Sequence, residues 1–384
     1  MAGPLTGLRV LELAQIAAGP FTGSLLADLG ADVVKIERPD GGDGMREWPP
    51  LMQGSNGTLS GNFASLNRNK RSIAIDIKDQ VQIKRLHKLI AVADILIENF
   101  RPGVMGRLGI DYLRVKKLNP RIVYCSITGY GQSGPYAQKG AFDVTVQAMS
   151  GLMSVTGEPD GPPVKCGVPV GDFVAGLYGA YTILALVMRA RATGEGGHID
   201  CSMLGSLLGA ATLQTSEYFG TGNAPKRLGS AHPRNAPYRG FQAKDKPFAV
   251  AAGNDKLWRD LCEVVGRPDL PDNGRFRNQN LRAKHQDDLF LILQPIFLTR
   301  NADEWLKELD AKGIACAPIN DFADILSDEH VRHMGLVQRL DTNECVETQT
   351  VAFPVAMSGF QFEIIRGPPL LGQHTEEVFR EWLS

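Results

Sequence analysis

The chain has 384 residues, 43% hydrophobic and 22% charged, a globular composition that excludes a disordered tail protein. Lys plus Arg number 41 against 42 Asp plus Glu, a net charge of -1, so nothing global recruits nucleic acid or an anionic membrane and any anion site must be local. At this length about two domains are expected.

Leu8 to Leu13 reads as a short apolar strand, and Pro20 suits the first turn of a helix that runs through Leu29 and stops at Gly30. Asp32 to Arg38 is the next strand, and a helix between two such strands implies a right-handed crossover in a parallel sheet. The pattern repeats in strand Ser72 to Asp76, a helix near Gln80 to Val92, and strand Asp94 to Glu98. A short helix near Val104 and strand Arg121 to Ile127 follow. This alternation predicts a doubly wound α/β domain with a parallel sheet. Asp143 to Met153 reads as one helix, Gly157 to Pro169 as a Gly/Pro-rich loop, and Phe173 to Arg191 as a long apolar helix. Strand His198 to Asp200 and a helix to about Phe219 complete this part.

The Gly-, Pro- and Asn-rich stretch from Gly220 to Pro237 marks a boundary, which gives a large domain over residues 1-220 and a smaller α/β domain over 221-335. Within the latter, Phe248 to Ala252 and Ile314 to Ile319 read as strands. Asn254 can cap a helix from Lys256 to Val265, and Asn301 with Glu304 resembles a capping box for Ala302 to Ala311. Residues 336-384 are strand-like and then end in an amphipathic helix from Glu376 to Leu383.

Six widely spaced cysteines without a CxxC pair read as free thiols of a reducing compartment, and no histidine spacing completes a metal site. The N-terminal residues carry no basic region or signal core, and the longest apolar stretch, Leu177 to Met188, is shorter than the ~20 residues of a membrane span. A soluble, cytoplasmic protein is expected.

Chemistry is harder to place. The first turn, Ala14 to Pro20, lacks a dinucleotide-binding glycine fingerprint, and Arg38 stands where an NAD enzyme would carry an acid. A guanidinium there suits a phosphorylated ribose, or is simply a solvated strand end. Gly129 to Gly134 matches GxGxxG but runs into Pro135, which also spoils a nucleophile elbow at Ser133. Arg38, Arg71 and Arg107 come from separate loops and could jointly hold a multiply phosphorylated ligand such as the 3′-phospho-ADP end of coenzyme A. The alternative is three surface arginines. Asp172 stands at the start of the apolar helix, where free N–H groups and the helix dipole favour its ionised form. It is either a nucleophile toward a thioester or an ordinary N-cap.

Taken together the motifs identify a resemblance. Leu11-Glu12-Leu13, Ala18-Gly19-Pro20, Leu29 to Pro39, Asn67 to Ser72, Glu98 to Gly103, Ile127 to Gly131 and Gly171-Asp172 resemble the class III CoA transferases, nearly end to end. This is the family of formyl-CoA transferase, carnitine CoA transferase and the 2-methylacyl-CoA racemases. The resemblance implies that Asp172 is the acyl-carrying nucleophile and that Ile16, Arg38, Asn99, Phe100, Arg107 and Lys139 contact CoA. The family's glutamine in the first loop is Ala17 here. Backbone N–H groups near Gly229 to His232 are its candidates for holding an oxyanion. The racemases carry Gly-His-Asp where this chain has Ala141-Phe142-Asp143, which argues against the alternative reading, a 2-methylacyl-CoA racemase or isomerase.

Gly229 to Pro233, Ala252 to Asn254 and Pro368 to His374 look closest to dicarboxylate-using members of the succinate–hydroxymethylglutarate type, and the glycine run of oxalate-type members is missing. The resemblance further implies an interlocked homodimer and an acyl-CoA thioester as substrate. It also implies that residues 336-384 return to complete the large domain, and that no permanently bound cofactor or metal is needed. From the charge balance and the short apolar stretches, neither a nucleic-acid nor a membrane partner is expected.

Overall fold

The computed structural model describes residues 3–384. The chain divides into two units: Met1–Leu152 with Lys165–Gly222 and Glu329–Ser384, and Met153–Val164 with Asn223–Asp328. The division differs from the expected one in residues 329–335, which belong to the larger unit, and in residues 153–164, which belong to the smaller. The Gly229 N–H donates to Gly157 O at 2.9 Å and the Arg227 guanidinium to Gly161 O at 3.0 Å, and these bonds tie the loop to residues 227–229.

The first unit is built on a six-stranded parallel sheet. From edge to edge its strands are Arg71–Ala74, Asp32–Glu37, Arg9–Glu12, Ile95–Glu98, Val123–Thr128 and Gly197–Ser202. Chain order reverses between Arg9–Glu12 and Ile95–Glu98, so the loops that leave these two strands diverge and open a crevice at their carboxyl ends. Alternate side chains feed two cores, which is why the strands read as continuous apolar runs. Val10, Val33, Ile97, Cys125 and Ile127 meet helices Ala18–Asp28 and Val170–Thr193 on one face. Leu11, Val34, Ile73, Leu96 and Tyr124 meet the helices Gln80–Val92, Tyr112–Leu118 and Thr375–Leu383 on the other.

Helix Val170–Thr193 is longer than expected, and by length and composition alone it could cross a membrane. Its stripe of Gly171, Ala175, Gly179, Ile183 and Val187 is buried, with Ala175, Ile183 and Val187 in the core against the sheet, as in a core helix. The predicted helix from Asp143 to Met153 ends at Met149, because Gly151 turns into the left-handed region (φ 86°) before a short 3-10 turn, Leu152–Val155. The hairpin of Leu51–Gly54 and Gly57–Ser60, with helix Gly61–Asn67, was not foreseen.

Under the crevice lies a cluster of buried ions. Glu12 Oε1 accepts from Lys35 Nζ at 3.0 Å and Glu12 Oε2 forms an ion pair with Lys70 Nζ at 2.8 Å, all three side chains without solvent exposure. Lys35 also meets Asp43 Oδ2 at 2.8 Å, and Glu37 takes the Arg46 fork at 2.7 and 2.8 Å and the Ser72 hydroxyl at 2.6 Å. Burial works against the Lys35 charge, but Glu12, Asp43 and Glu37 outweigh it and hold its pKa above the usual lysine value.

The second unit carries a three-stranded antiparallel sheet in the order Ala315–Pro318, Pro247–Ala251, Tyr238–Gln242. Asn254 caps its helix as expected, accepting from Leu257 N–H at 2.9 Å. The helices bury Trp258, Leu261, Phe297 and Trp305 against Phe248 and Val250, with Trp305 Nε1 donating to Phe297 O at 2.9 Å. Strand Tyr238–Gln242 was missed, because Arg239 and Gly240 break its apolar pattern.

Gly23, inside helix Ala18–Asp28, faces the Glu12 carboxylate so closely that an added Cβ would overlap Oε2. Helix propensity alone would make Gly23→Ala stabilising by about 1 kcal/mol. Glu12 is pinned by two lysines and cannot yield, so Gly23→Ala should cost about 1–3 kcal/mol in urea denaturation. Stability equal to or above wild type would show that the cluster is free to move.

Candidate active site

A cavity of about 730 Å³ opens at the crevice, within the first unit. Gln15 to Ala18 line it from the loop after strand Arg9–Glu12, Asn99 to Pro102 from the loop after Ile95–Glu98, and Ile127 to Tyr130 from the end of the next strand. Phe142, Asp143 and Val144 enter at the start of helix Asp143–Met149, and Asp172 and Phe173 in the first turn of the long helix. Much of the wall is apolar, with Lys139 and Arg101 as its cations.

Five residues singled out in the sequence share this cavity: Ile16, Asn99, Phe100, Lys139 and Asp172. Asn99 reaches it by holding the neighbouring loop. Its Oδ1 accepts from Gln15 N–H at 2.9 Å and its Nδ2 donates to Gln15 O at 2.8 Å. Arg38 and Arg107 are exposed and lie outside the lining; Arg38 Nε donates to Gly42 O at 3.0 Å. Gly229 and His232 belong to the second unit. Their amides donate to Gly157 O at 2.9 Å and Tyr238 O at 3.1 Å, so an oxyanion held there would have to displace those bonds.

Arg71 is a correction. Its guanidinium is buried and divided among Asp32 at 2.5 Å, Glu377 at 3.0 Å and Glu381 at 2.7 Å, so its charge is already met by three carboxylates and four of its five N–H groups are taken. The whole run Asn67 to Arg71 is internal. Arg68 pairs with Asp28 at 2.5 Å, Lys70 with Glu12, and Asn69 Oδ1 accepts from Ile365 N–H at 2.9 Å. Residues that sequence reasoning missed include Trp48 and Met45 at the wall and Gln147 behind it, none of which carried a local signal. Arg101, a basic residue after the strand that ends at Glu98, reaches the wall.

Asp172 is the third residue of its helix and partly buried. The expectation that the helix terminus favours its ionised form is overturned. Burial, and then the nearby Asp143 charge, push its pKa up to about 7. Asp143 also shapes the backbone at this point. Its Oδ1 accepts from Gly171 N–H at 2.8 Å and its Oδ2 from Gln147 Nε2 at 2.6 Å, while Gln147 Oε1 accepts from Cys166 N–H at 2.9 Å. A Cβ on Gly171 would sit 2.9 Å from Asp143 Oδ1, so a glycine must precede Asp172. A carboxylate with little solvation and a pKa near neutrality, facing a cavity, is equipped for nucleophilic attack on an activated carbonyl.

The profile of CoA-transferase family III matches residues 5–375. Succinyl-CoA:glutarate CoA-transferase of Mus musculus is 37% identical over 380 residues, covering 99% of this chain and 86% of that protein. Acetyl-CoA:oxalate CoA-transferase of Acetobacter aceti is 40% identical over 387 residues, covering 100% and 96%. The crystal structure of a CAIB/BAIF family protein from Brucella suis superposes with a TM-score of 0.90 at 35% identity and full coverage of both chains.

The raised Asp172 pKa makes a stability prediction. Its folded value lies above the unfolded one near 3.8, so stability is complete below pH 3.8 and declines as pH rises to about 7. Asp172→Asn removes that cost. The variant should gain thermal stability over wild type steadily from pH 4 to 7 and by a constant amount above. A pH-independent difference would mean the carboxyl titrates normally.

Proposed function

The chain belongs to CoA-transferase family III, and on that premise we propose that this CoA transferase moves coenzyme A from succinyl-CoA to a dicarboxylic acid through an aspartyl-CoA thioester on Asp172. The observation that carries the reading is the placement of Asp172, poorly solvated and at the cavity wall beside Lys139, Asn99 and Phe100. The substrate class rests on the relatives, one named for succinyl-CoA and glutarate and another for acetyl-CoA and oxalate.

In this reading an Asp172 oxygen attacks the donor thioester carbonyl, the C–S bond breaks, and a mixed anhydride and free CoA thiolate result. The thiolate attacks the Asp172 carbonyl carbon and expels the donor acid as its carboxylate, leaving aspartyl-CoA. The acceptor carboxylate attacks that thioester and again frees the thiolate. Attack of the thiolate on the acceptor acyl carbonyl then restores Asp172 and releases the new acyl-CoA. No net proton is taken up, and each step exchanges one activated acyl group for another. Lys139 and Asn99 with Phe100 are the candidate CoA contacts within the cavity, and Arg38 and Arg107 supply further cations outside it.

A homodimer is part of the proposal. Leu177, Tyr181 and Met188 of the long helix, with Leu213 and Phe219 of helix Thr212–Thr221, are all exposed large apolar side chains, an apolar surface that a second copy would cover. Cytoplasmic residence fits six cysteines that are all free thiols.

Incubation with succinyl-CoA followed by hydroxylamine should place a hydroxamate on Asp172 by peptide mass spectrometry. Asp172→Asn should remove both the label and acyl exchange. Because attack needs the ionised carboxylate, the rate with wild type should fall about tenfold per pH unit below 7 and level off above it. An unlabelled Asp172 with several acyl-CoA donors, together with solvent deuterium entering the α position, would instead establish the isomerase. Light scattering should return twice the 41.7 kDa chain mass, and Tyr181→Glu with Met188→Glu should shift it toward one. A wild-type monomer at micromolar concentration would remove the dimer from the proposal.

A further inference from the structure

Ile16, which lines the cavity, has φ 65°, a conformation that is a genuine outlier for a β-branched residue. Its main chain is held there from outside the loop. The Ile16 N–H donates to both oxygens of the Asp43 carboxylate, at 3.1 and 3.2 Å. Asp43 is itself fixed, accepting from Met45 N–H at 3.0 Å and meeting Lys35 Nζ at 2.8 Å. Lys35 Nζ also donates to Ala14 O at 2.9 Å, two residues before Ile16, and Asn99 grips Gln15 between them. Three successive residues of the loop are therefore clamped by three different side chains. The charged clamp, Asp43 with Lys35, is almost wholly buried.

We propose that Asp43, anchored by Lys35, is a positioning residue for coenzyme A. It holds Ile16 left-handed, and that conformation fixes the Ala14–Ala17 wall of the cavity in the shape the cofactor thioester requires. The proposal rests on the reading of this cavity as the CoA site. An Asp43 carboxylate accepts from the Ile16 N–H with a full charge, which a water or a neutral side chain would not match. Without it a β-branched residue returns to φ < 0, and the loop carries Gln15, Ile16 and Ala17 away with it.

The test uses full-length protein with free coenzyme A as the calorimetric probe and succinyl-CoA as the kinetic one. Binding of coenzyme A to the wild type establishes the site reading first; no binding would sink that reading and leave the clamp without a function. Asp43→Ala is then expected to weaken coenzyme A binding and raise KM by about ten- to hundredfold, the effect of one lost charge-assisted hydrogen bond, with kcat within about twofold.

Asp28→Ala breaks a buried ion pair elsewhere, with Arg68, and serves as the control. It should lower Tm comparably and leave the Kd unchanged. Should Asp43→Ala fail to fold, Asp43→Glu replaces it, keeping the charge for Lys35 but misplacing the carboxylate for Ile16, and the same rise in Kd is expected. A folded Asp43 variant with wild-type Kd and KM would overturn the proposal. So would a variant that loses kcat with KM unchanged, or a control that loses affinity as much.

Discussion

Glu12 lies on a central strand with no solvent contact, and each of its carboxylate oxygens faces a lysine, Lys35 at 3.0 Å and Lys70 at 2.8 Å. Lone buried ions would cost several kcal/mol each, so such a cluster persists only when every charge meets its opposite. Here it does. Asp43 closes on Lys35, Glu37 on Arg46, and Lys70 also donates to Pro20 O and Asn67 Oδ1. The charged partners come from strands Arg9–Glu12 and Asp32–Glu37, from the segment after the second of them, and from Lys70 just before strand Arg71–Ala74, so satisfying the charges fixes those segments relative to one another. Apolar side chains often match a buried ion cluster in stability, but they would offer no carboxylate to the Ile16 N–H and no ammonium to Ala14 O. Both the left-handed Ile16 and the need for Gly23 follow from the cluster.

At the other side of the cavity the competition is between a helix terminus and desolvation. The first-turn N–H groups stabilise an anion, and a sequence shows that term plainly. Burial and the Asp143 charge oppose it, and at Asp172 they win. The outcome suits the proposed role, because a poorly solvated carboxylate is a better nucleophile than one saturated with hydrogen bonds. Asp143 has a double part in this, raising the pKa while its Oδ1 holds the Gly171 amide that fixes the start of the helix. Keeping this carboxyl ionised at neutral pH costs stability, and in the proposed mechanism that cost accompanies the nucleophile.

Much of the site was legible in the sequence where a motif travels as one piece. Asn99 and Phe100 stand together after a strand, Asp172 opens an apolar helix after a glycine, and all three reach the cavity. The run Asn67 to Arg71 misled for the opposite reason. Five polar residues before a strand resemble an anion site, but their partners, Glu12, Asp28, Asp32, Glu377 and Glu381, lie tens to hundreds of residues away. The charge of a residue is local information, and whether that charge is already neutralised is not.

The sequence by itself determined the parallel α/β core, the crossover helices and the family, because hydrophobic periodicity and contiguous motifs are properties of neighbouring residues. It also placed the nucleophile candidate at the head of the long helix. Tertiary structure alone decided which arginines are scaffold and how Asp172 titrates. It also assigned residues 153–164 to the smaller unit. It gathered the loops after strands Arg9–Glu12 and Ile95–Glu98 around one cavity, since the reversal of strand order that opens the crevice exists only once the sheet is assembled. Desolvation and ion pairing depend on atoms brought together across the chain, and no local pattern encodes their balance.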